Sequence, residues 1–143
     1  MVTNKQLLYI LKLNWMHLLG FYLCVEAMMF YSAFEDITEQ MNWKYYLMEV
    51  ILWAPMLMFT YGLMFIAGFY LLILMLDALC FKAIKTSTRN IVLLEWFLIT
   101  PIFIYWAIEN HYWLWIGLVI SFLVTQLIRS KRIDKRILSS STI

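Results

Sequence analysis

The sequence predicts an all-α integral membrane bundle of four transmembrane helices, both termini cytoplasmic, with an unusually long second helix. Three observations carry that prediction: the apolar content, the spacing of the apolar runs and the placement of the bases. Of 143 residues, 64% are hydrophobic and 14% are charged, and the mean hydropathy is +0.79. Soluble domains run at about 45–50% apolar and about 25% charged, so water is a poor solvent for this surface. The polar stretches at 35–42, 82–90 and 129–143 are too short to enclose a soluble core. The chain therefore reads as one transmembrane domain, 1–143.

A membrane helix needs about 20 largely apolar residues. The first helix is expected over 15–34, and 3–14, with Lys5 and Lys12 among its leucines, lies partly in the interface. The apolar run after Asn14 exceeds a signal-peptide core, and Ser32-Ala33-Phe34 is a poor cleavage site, so this helix is expected to be retained. An acidic turn follows at 35–40. The second helix, 44–81, would span about 58 Å at 1.5 Å per residue, against a hydrocarbon thickness of about 30 Å. It reads either as one long helix, bent near Pro55 or Gly62, or as two short spans with a turn at Thr60-Tyr61-Gly62. Helix three is expected over 91–108, with Thr100-Pro101 near its middle. A tight turn at Glu109-Asn110-His111 leads to helix four, 112–128, and a basic tail, 129–143.

Charge selects the single long helix. Lys82, Lys85 and Arg89 form one basic cluster, and Arg129, Lys131, Arg132, Lys135 and Arg136 form another. Bases are held back from translocation, so both clusters and Lys5 and Lys12 belong on the cytoplasmic side, which an even number of spans satisfies. Trp43, Tyr45, Tyr46, Tyr105, Trp106, Tyr112, Trp113 and Trp115 fall at the expected outer ends, where amphipathic rings favour the headgroup level. The expected location is the cell (inner or plasma) membrane.

Glu26 is the leading candidate for function. It lies near the middle of helix one, where an ionised carboxylate costs about 2.5–3.5 kcal/mol. It must be protonated, paired or wet. Such a group can carry protons or bind a cation, or it can hydrogen-bond a neighbouring helix. Glu49 is expected at the outer interface. A second pattern comes from depth: His17, Asp77, Glu95, Thr125 and Arg129 all fall near the cytoplasmic ends of the four helices, with Ser121, Thr125 and Arg129 spaced by four. The preferred reading is interhelical ion pairing of Arg129 or Lys82 with these acids, plus snorkelling to water. The alternative is an inward-facing vestibule or a ring that docks a partner. His17 lies nine residues before Glu26, on the opposite face, and reads as an interfacial hydrogen-bonding residue.

No cofactor is expected. His17 and His111 sit at opposite faces, which does not suit a haem within one chain, and His17, Asp77 and Glu95 lack a metal-binding spacing signature. Cys24 and Cys80 lie at different depths and are not expected to pair. Gly-x-x-x-Gly is absent, so close helix crossings of that type are not signalled. No protease, P-loop, hydrolase-elbow or Cys-x-x-Cys motif occurs. The ten Met residues are scattered and read as packing. Lys131, Arg132, Lys135 and Arg136 face the lipid headgroups, each worth about 1 kcal/mol near an anionic leaflet, while nucleic-acid binding is not expected. The plan of four short helices with one acid in the first resembles small multidrug transporters in architecture alone. The long second helix and the polar inner ends depart from it, and no residue is carried across.

The expected partners are the lipid bilayer and either further copies of the chain or a larger membrane complex. The leading functional expectation is a non-enzymatic membrane subunit or accessory protein: an anchor, a regulator, or an immunity or defence component. The alternative is a proton-coupled transporter or an oligomeric pore such as a holin, using Glu26. An intramembrane enzyme acting on lipid through Asp77 or Glu95 ranks third.

Overall fold

The computed structural model describes residues 3–35, 43–60, 62–84 and 86–140. They form six helices: α1 (Asn4–Lys12), α2 (Trp15–Glu35), α3 (Trp43–Thr60), α4 (Gly62–Ala83), α5 (Thr88–Asn110) and α6 (Leu114–Ser140). Four stretches are long and apolar enough to cross a membrane: Asn4–Ser32, Gly62–Ala83, Thr88–Asn110 and Leu114–Ile137.

Each helix buries one stripe. On α4 the buried positions are Phe69, Ile73, Asp77, Cys80 and Phe81. On α5 they include Ile91, Val92, Glu95, Ile99 and Phe103. On α6 they run through Leu118, Phe122, Thr125, Gln126, Arg129, Ser130 and Ile133. These three- and four-residue steps bring one face of each helix inward. The opposite faces carry exposed Leu, Ile, Met and Phe, as lipid contact requires.

Side-chain contacts show that successive spans run antiparallel. On α2 and α6, His17 meets Thr125 while Cys24 lies opposite Gly117. On α5 and α6, Glu95 meets Gln126 while Phe103 meets Trp115. On α2 and α4, Phe21 meets Phe69 while Asn14 meets Asp77. The start of α2, the end of α4, the start of α5 and the last turns of α6 therefore share one end of the bundle. Lys82, Arg89 and the bases of α6 lie there too, and it is called the basic end below.

Two glycines set the α2–α6 distance. A Cβ at Gly20 would lie 2.5 Å from Thr125 Cγ2, and one at Gly117 would lie 2.9 Å from Cys24 Sγ. The close crossing that a missing Gly-x-x-x-Gly leaves unsignalled is thus made by one glycine from each helix. Antiparallel partners supply one relief each, so no single chain segment carries the motif.

The helix α1 is more than an interfacial stretch. Thr3 caps it, accepting from the Gln6 amide while the Gln6 side chain accepts from the Thr3 amide. Its Leu7 and Ile10, with Leu13 and Met16, pack on Cys80, Phe81, Ile91, Val92 and Ile133. It closes the basic end like a lid.

Helix α6 runs past Ile128, where the sequence reading ends helix four, as far as Ser140. Ile133 is wholly buried one turn after Arg129, and that burial holds the basic segment helical. Helix α5 extends from Thr88 to Asn110, straight through Pro101, with Ser87 capping its start and His111 ending it at a φ of 50°. The 44–81 stretch holds α3 and α4, and Tyr61, on which the choice between one long helix and two shorter spans turns, lies outside the described residues. Lys85, residues 36–40 of the acidic turn, and the side chains of Trp43, Tyr45, Tyr46 and Glu49 likewise lie outside them.

Candidate functional site

The basic end holds a polar cluster sealed between two apolar cores. Asn14, His17, Asp77, Glu95, Gln126 and Arg129 are each 0% exposed. Arg129 is the largest wholly buried side chain among the described residues. Its Nη2 donates to Asp77 Oδ1, and its Nη1 donates to Gln126 Oε1 at 2.9 Å and to Glu95 Oε2 at 3.4 Å. Gln126 Nε2 also donates to Glu95 Oε2, at 3.1 Å. Asn14 Nδ2 donates to Asp77 Oδ2 at 2.6 Å. Helices α4, α5 and α6 and the turn between α1 and α2 thus meet in one network.

His17 belongs to the same layer through Thr125. The Thr125 hydroxyl lies 2.9 Å from the Ser121 and Phe122 carbonyls and 2.7 Å from His17 Nδ1. Thr125 and His17 thus share one hydrogen bond, its donor set by the imidazole tautomer, and Nε2 has no partner. The imidazole stands edge-on to Phe122 at 5.0 Å and to Phe69 at 6.2 Å.

Above the cluster, Phe21, Phe69, Phe103 and Phe122 belong to one apolar core; below it, α1 closes the other. In so dry a layer a hydrogen bond is electrostatically stronger than in water, and a polar atom without a partner is correspondingly costly. Glu95 Oε1, Asn14 Oδ1 and Arg129 Nε carry no partner.

The five residues expected at similar depth, His17, Asp77, Glu95, Thr125 and Arg129, are therefore brought together. The geometry is interhelical ion pairing through Arg129, while Lys82 is exposed. Three parts of the expectation are corrected. The acids do not snorkel, because Asp77 and Glu95 have no exposed surface. The layer is also closed rather than an open vestibule, because α1 and Ile133 cover it. His17 is buried rather than interfacial.

Sequence reasoning missed Asn14 and Gln126. Both are amides, so neither perturbs a charge pattern, and Asn14 reads as a helix boundary. The available signal was Gln126 at three residues before Arg129, on the same face.

Glu26 stands apart from this layer. Its Oε1 accepts from Tyr22 Oη at 2.5 Å, and its Oε2 is buried without a partner. On the side of the bundle away from the basic end, an apolar cavity of about 350 Å³ lies between α2, α3, α4 and α6, with Met28, Leu57, Phe65 and Trp115 among its walls. On either side of Ile133, Lys131, Arg132, Lys135 and Arg136 are exposed, and the Arg136 guanidinium lies 5.7 Å from the Tyr9 ring centroid. Among the described residues no three His, Cys, Asp or Glu side chains converge as a metal site.

Compared with protein-family models, with curated proteins and with solved structures, the chain matches none. Its class rests on its own physics. Four antiparallel apolar helices with lipid-suited outer faces define a small multi-pass helical membrane protein, in contact with the lipid bilayer.

Proposed function

We propose that this chain is a non-enzymatic subunit of a membrane assembly, with both termini cytoplasmic in the cell membrane, that docks a membrane partner or further copies of itself. The single observation that carries this reading is α3. It is an apolar helix additional to the four spans, yet Ile51, Leu52, Met56 and Phe59 on it are exposed, Phe59 by 74%. Burying one large apolar side chain is worth about 1.5–3 kcal/mol, so a row of them left in water is costly. Coverage by protein or lipid removes that cost.

The polar groups support the same reading. Those at the basic end bond to one another and leave no opening for a substrate. The orientation follows from the bases collected at that end.

The test is photo-crosslinking from positions 52 and 59 in native membranes. The reading expects a discrete adduct of fixed mass, either twice the chain or the chain plus one partner. Crosslinking to lipid alone contradicts it.

A second reading, proton-coupled transport, draws on Glu26 Oε2, buried without a partner. Liposome flux that is abolished by Glu26→Gln supports it; flux unchanged by that substitution removes Glu26 from any mechanism.

A further inference from the structure

The sealed layer contains one more acid than base. Asp77 and Glu95 are both bonded to Arg129, and all three side chains are 0% exposed. If both acids were ionised, the layer would carry a net negative charge with no water to solvate it. An unbalanced charge in such a place costs several kcal/mol even after relaxation.

The hydrogen bonds distinguish the two acids. Asp77 is supplied on both oxygens, by Arg129 Nη2 on Oδ1 and by Asn14 Nδ2 on Oδ2. Glu95 is supplied on one oxygen only. Its Oε2 accepts from Gln126 at 3.1 Å and from Arg129 at 3.4 Å, while Oε1 is buried and has no donor. A carboxylate held by donors on both oxygens is the better ion; a carboxyl with a bare buried oxygen is the better site for the proton.

We infer that the layer is a proton-binding site, holding one proton per chain on Glu95 while Asp77 and Arg129 form the ion pair. The other groups at this end do not replace that proton. The His17 imidazole is hydrogen-bonded to Thr125, Cys80 is a buried thiol, and α1, packed on α4, adds Lys5, Tyr9 and Lys12, none of these groups bonded to either acid. Because Glu95 has no exposed surface, its proton leaves only when this end of the bundle, with α1 packed on it, opens. Its release leaves two carboxylates sharing one guanidinium, which opposes reclosure. The basic end is thereby a latch that closes with the proton on and loosens with it off.

The linkage has a definite sign. The folded bundle binds a proton that the opened chain gives up at neutral pH, so stability falls as pH rises. Glu95→Gln imitates the neutral acid and keeps both hydrogen bonds of Oε2. It therefore folds and removes the Glu95 share of the pH dependence.

The experiment uses the full chain in phosphatidylethanolamine–phosphatidylglycerol vesicles. Infrared spectra at neutral pH are expected to show the carbonyl band of a neutral carboxylic acid. A component of that band should vanish in Glu95→Gln and persist in Glu26→Gln, the other acid with a bare buried oxygen. Thermal unfolding from about pH 7 to about pH 9, above the range in which a His17 freed by unfolding takes up a proton, is expected to show the folded-to-unfolded ratio falling by up to about tenfold per pH unit in the native chain, and no such slope in Glu95→Gln. Four results overturn the inference: no neutral-acid band, a band left unchanged by Glu95→Gln, a failure of Glu95→Gln to fold, or stability that follows sodium concentration at fixed pH. The last would give the site to a cation.

Discussion

Arg129 sits in a segment of five bases and one acid, yet it alone is drawn inside the bundle while Lys131, Arg132, Lys135 and Arg136 stay exposed. The difference is angular. Arg129 follows Phe122 and Thr125–Gln126 on the buried face of α6, and Ile133 continues that face beyond it. Breaking a buried pair costs about 3–5 kcal/mol, because the remaining charges lose their compensation. Arg129→Met is therefore expected to destabilise the bundle by about that amount in a mild-detergent unfolding assay, and a loss below about 1 kcal/mol would show that the pairs contribute little. Lys131→Met, on the exposed face, is expected to change stability by less than about 0.5 kcal/mol. Most of the layer was legible from depth alone, since His17, Asp77, Glu95, Thr125 and Arg129 carry charge or polarity within apolar runs. Asn14 and Gln126 were not, because a neutral amide alters neither a charge count nor a hydropathy window enough to stand out.

At the scale of elements, two contacts do most to fix the arrangement. The first is the α2–α6 crossing at Gly20 and Gly117. Gly20→Leu forces a side chain into the space held by Thr125, and overpacking of this kind costs about 1–3 kcal/mol. It also pushes Thr125 from His17, so the loss in unfolding free energy is expected to exceed that of Gly68→Leu, where nothing lies within 4 Å of a Cβ. Equal losses would show that the crossing has slack. The second contact is the docking of α1. Cys80 lies under Leu7, Ile10 and Leu13 in one core. A water-soluble thiol reagent is expected to label Cys80 slowly in the native chain and at least about tenfold faster in Ile10→Asp, following the fall in closed population. Unchanged labelling would mean that α1 does not cover this end. The length of α6 was hidden from the sequence by the charges after Ile128, which end an apolar window without ending a helix. The periodicity through Arg129 and Ile133 carried the information.

Across the whole molecule, the bases and the antiparallel register agree on a single end for Lys82, Arg89 and the last turns of α6. The proposed orientation, by the positive-inside rule, puts that end in the cytoplasm. Single cysteines at Arg89 and Lys135, in a chain with Cys24 and Cys80 replaced by Ser, are expected to resist an impermeant thiol reagent on intact cells, while one at His111 reacts. Labelling of positions 89 and 135 from opposite compartments would contradict the even number of spans. The four-span plan was readable because hydrocarbon thickness sets helix length. What lies beyond it, α3 and its exposed apolar side chains, was not resolved by the same rule, since an apolar run looks alike whether lipid or protein covers it. The account depends most on the buried bond between α4 and α6. A double-mutant cycle of Asp77→Asn and Arg129→Met, read by unfolding in mild detergent, is its most direct test. A coupling of about 1.5 kcal/mol or more is expected for a close desolvated charge pair; additive losses would mean that Asp77 and Arg129 do not hold the bundle together.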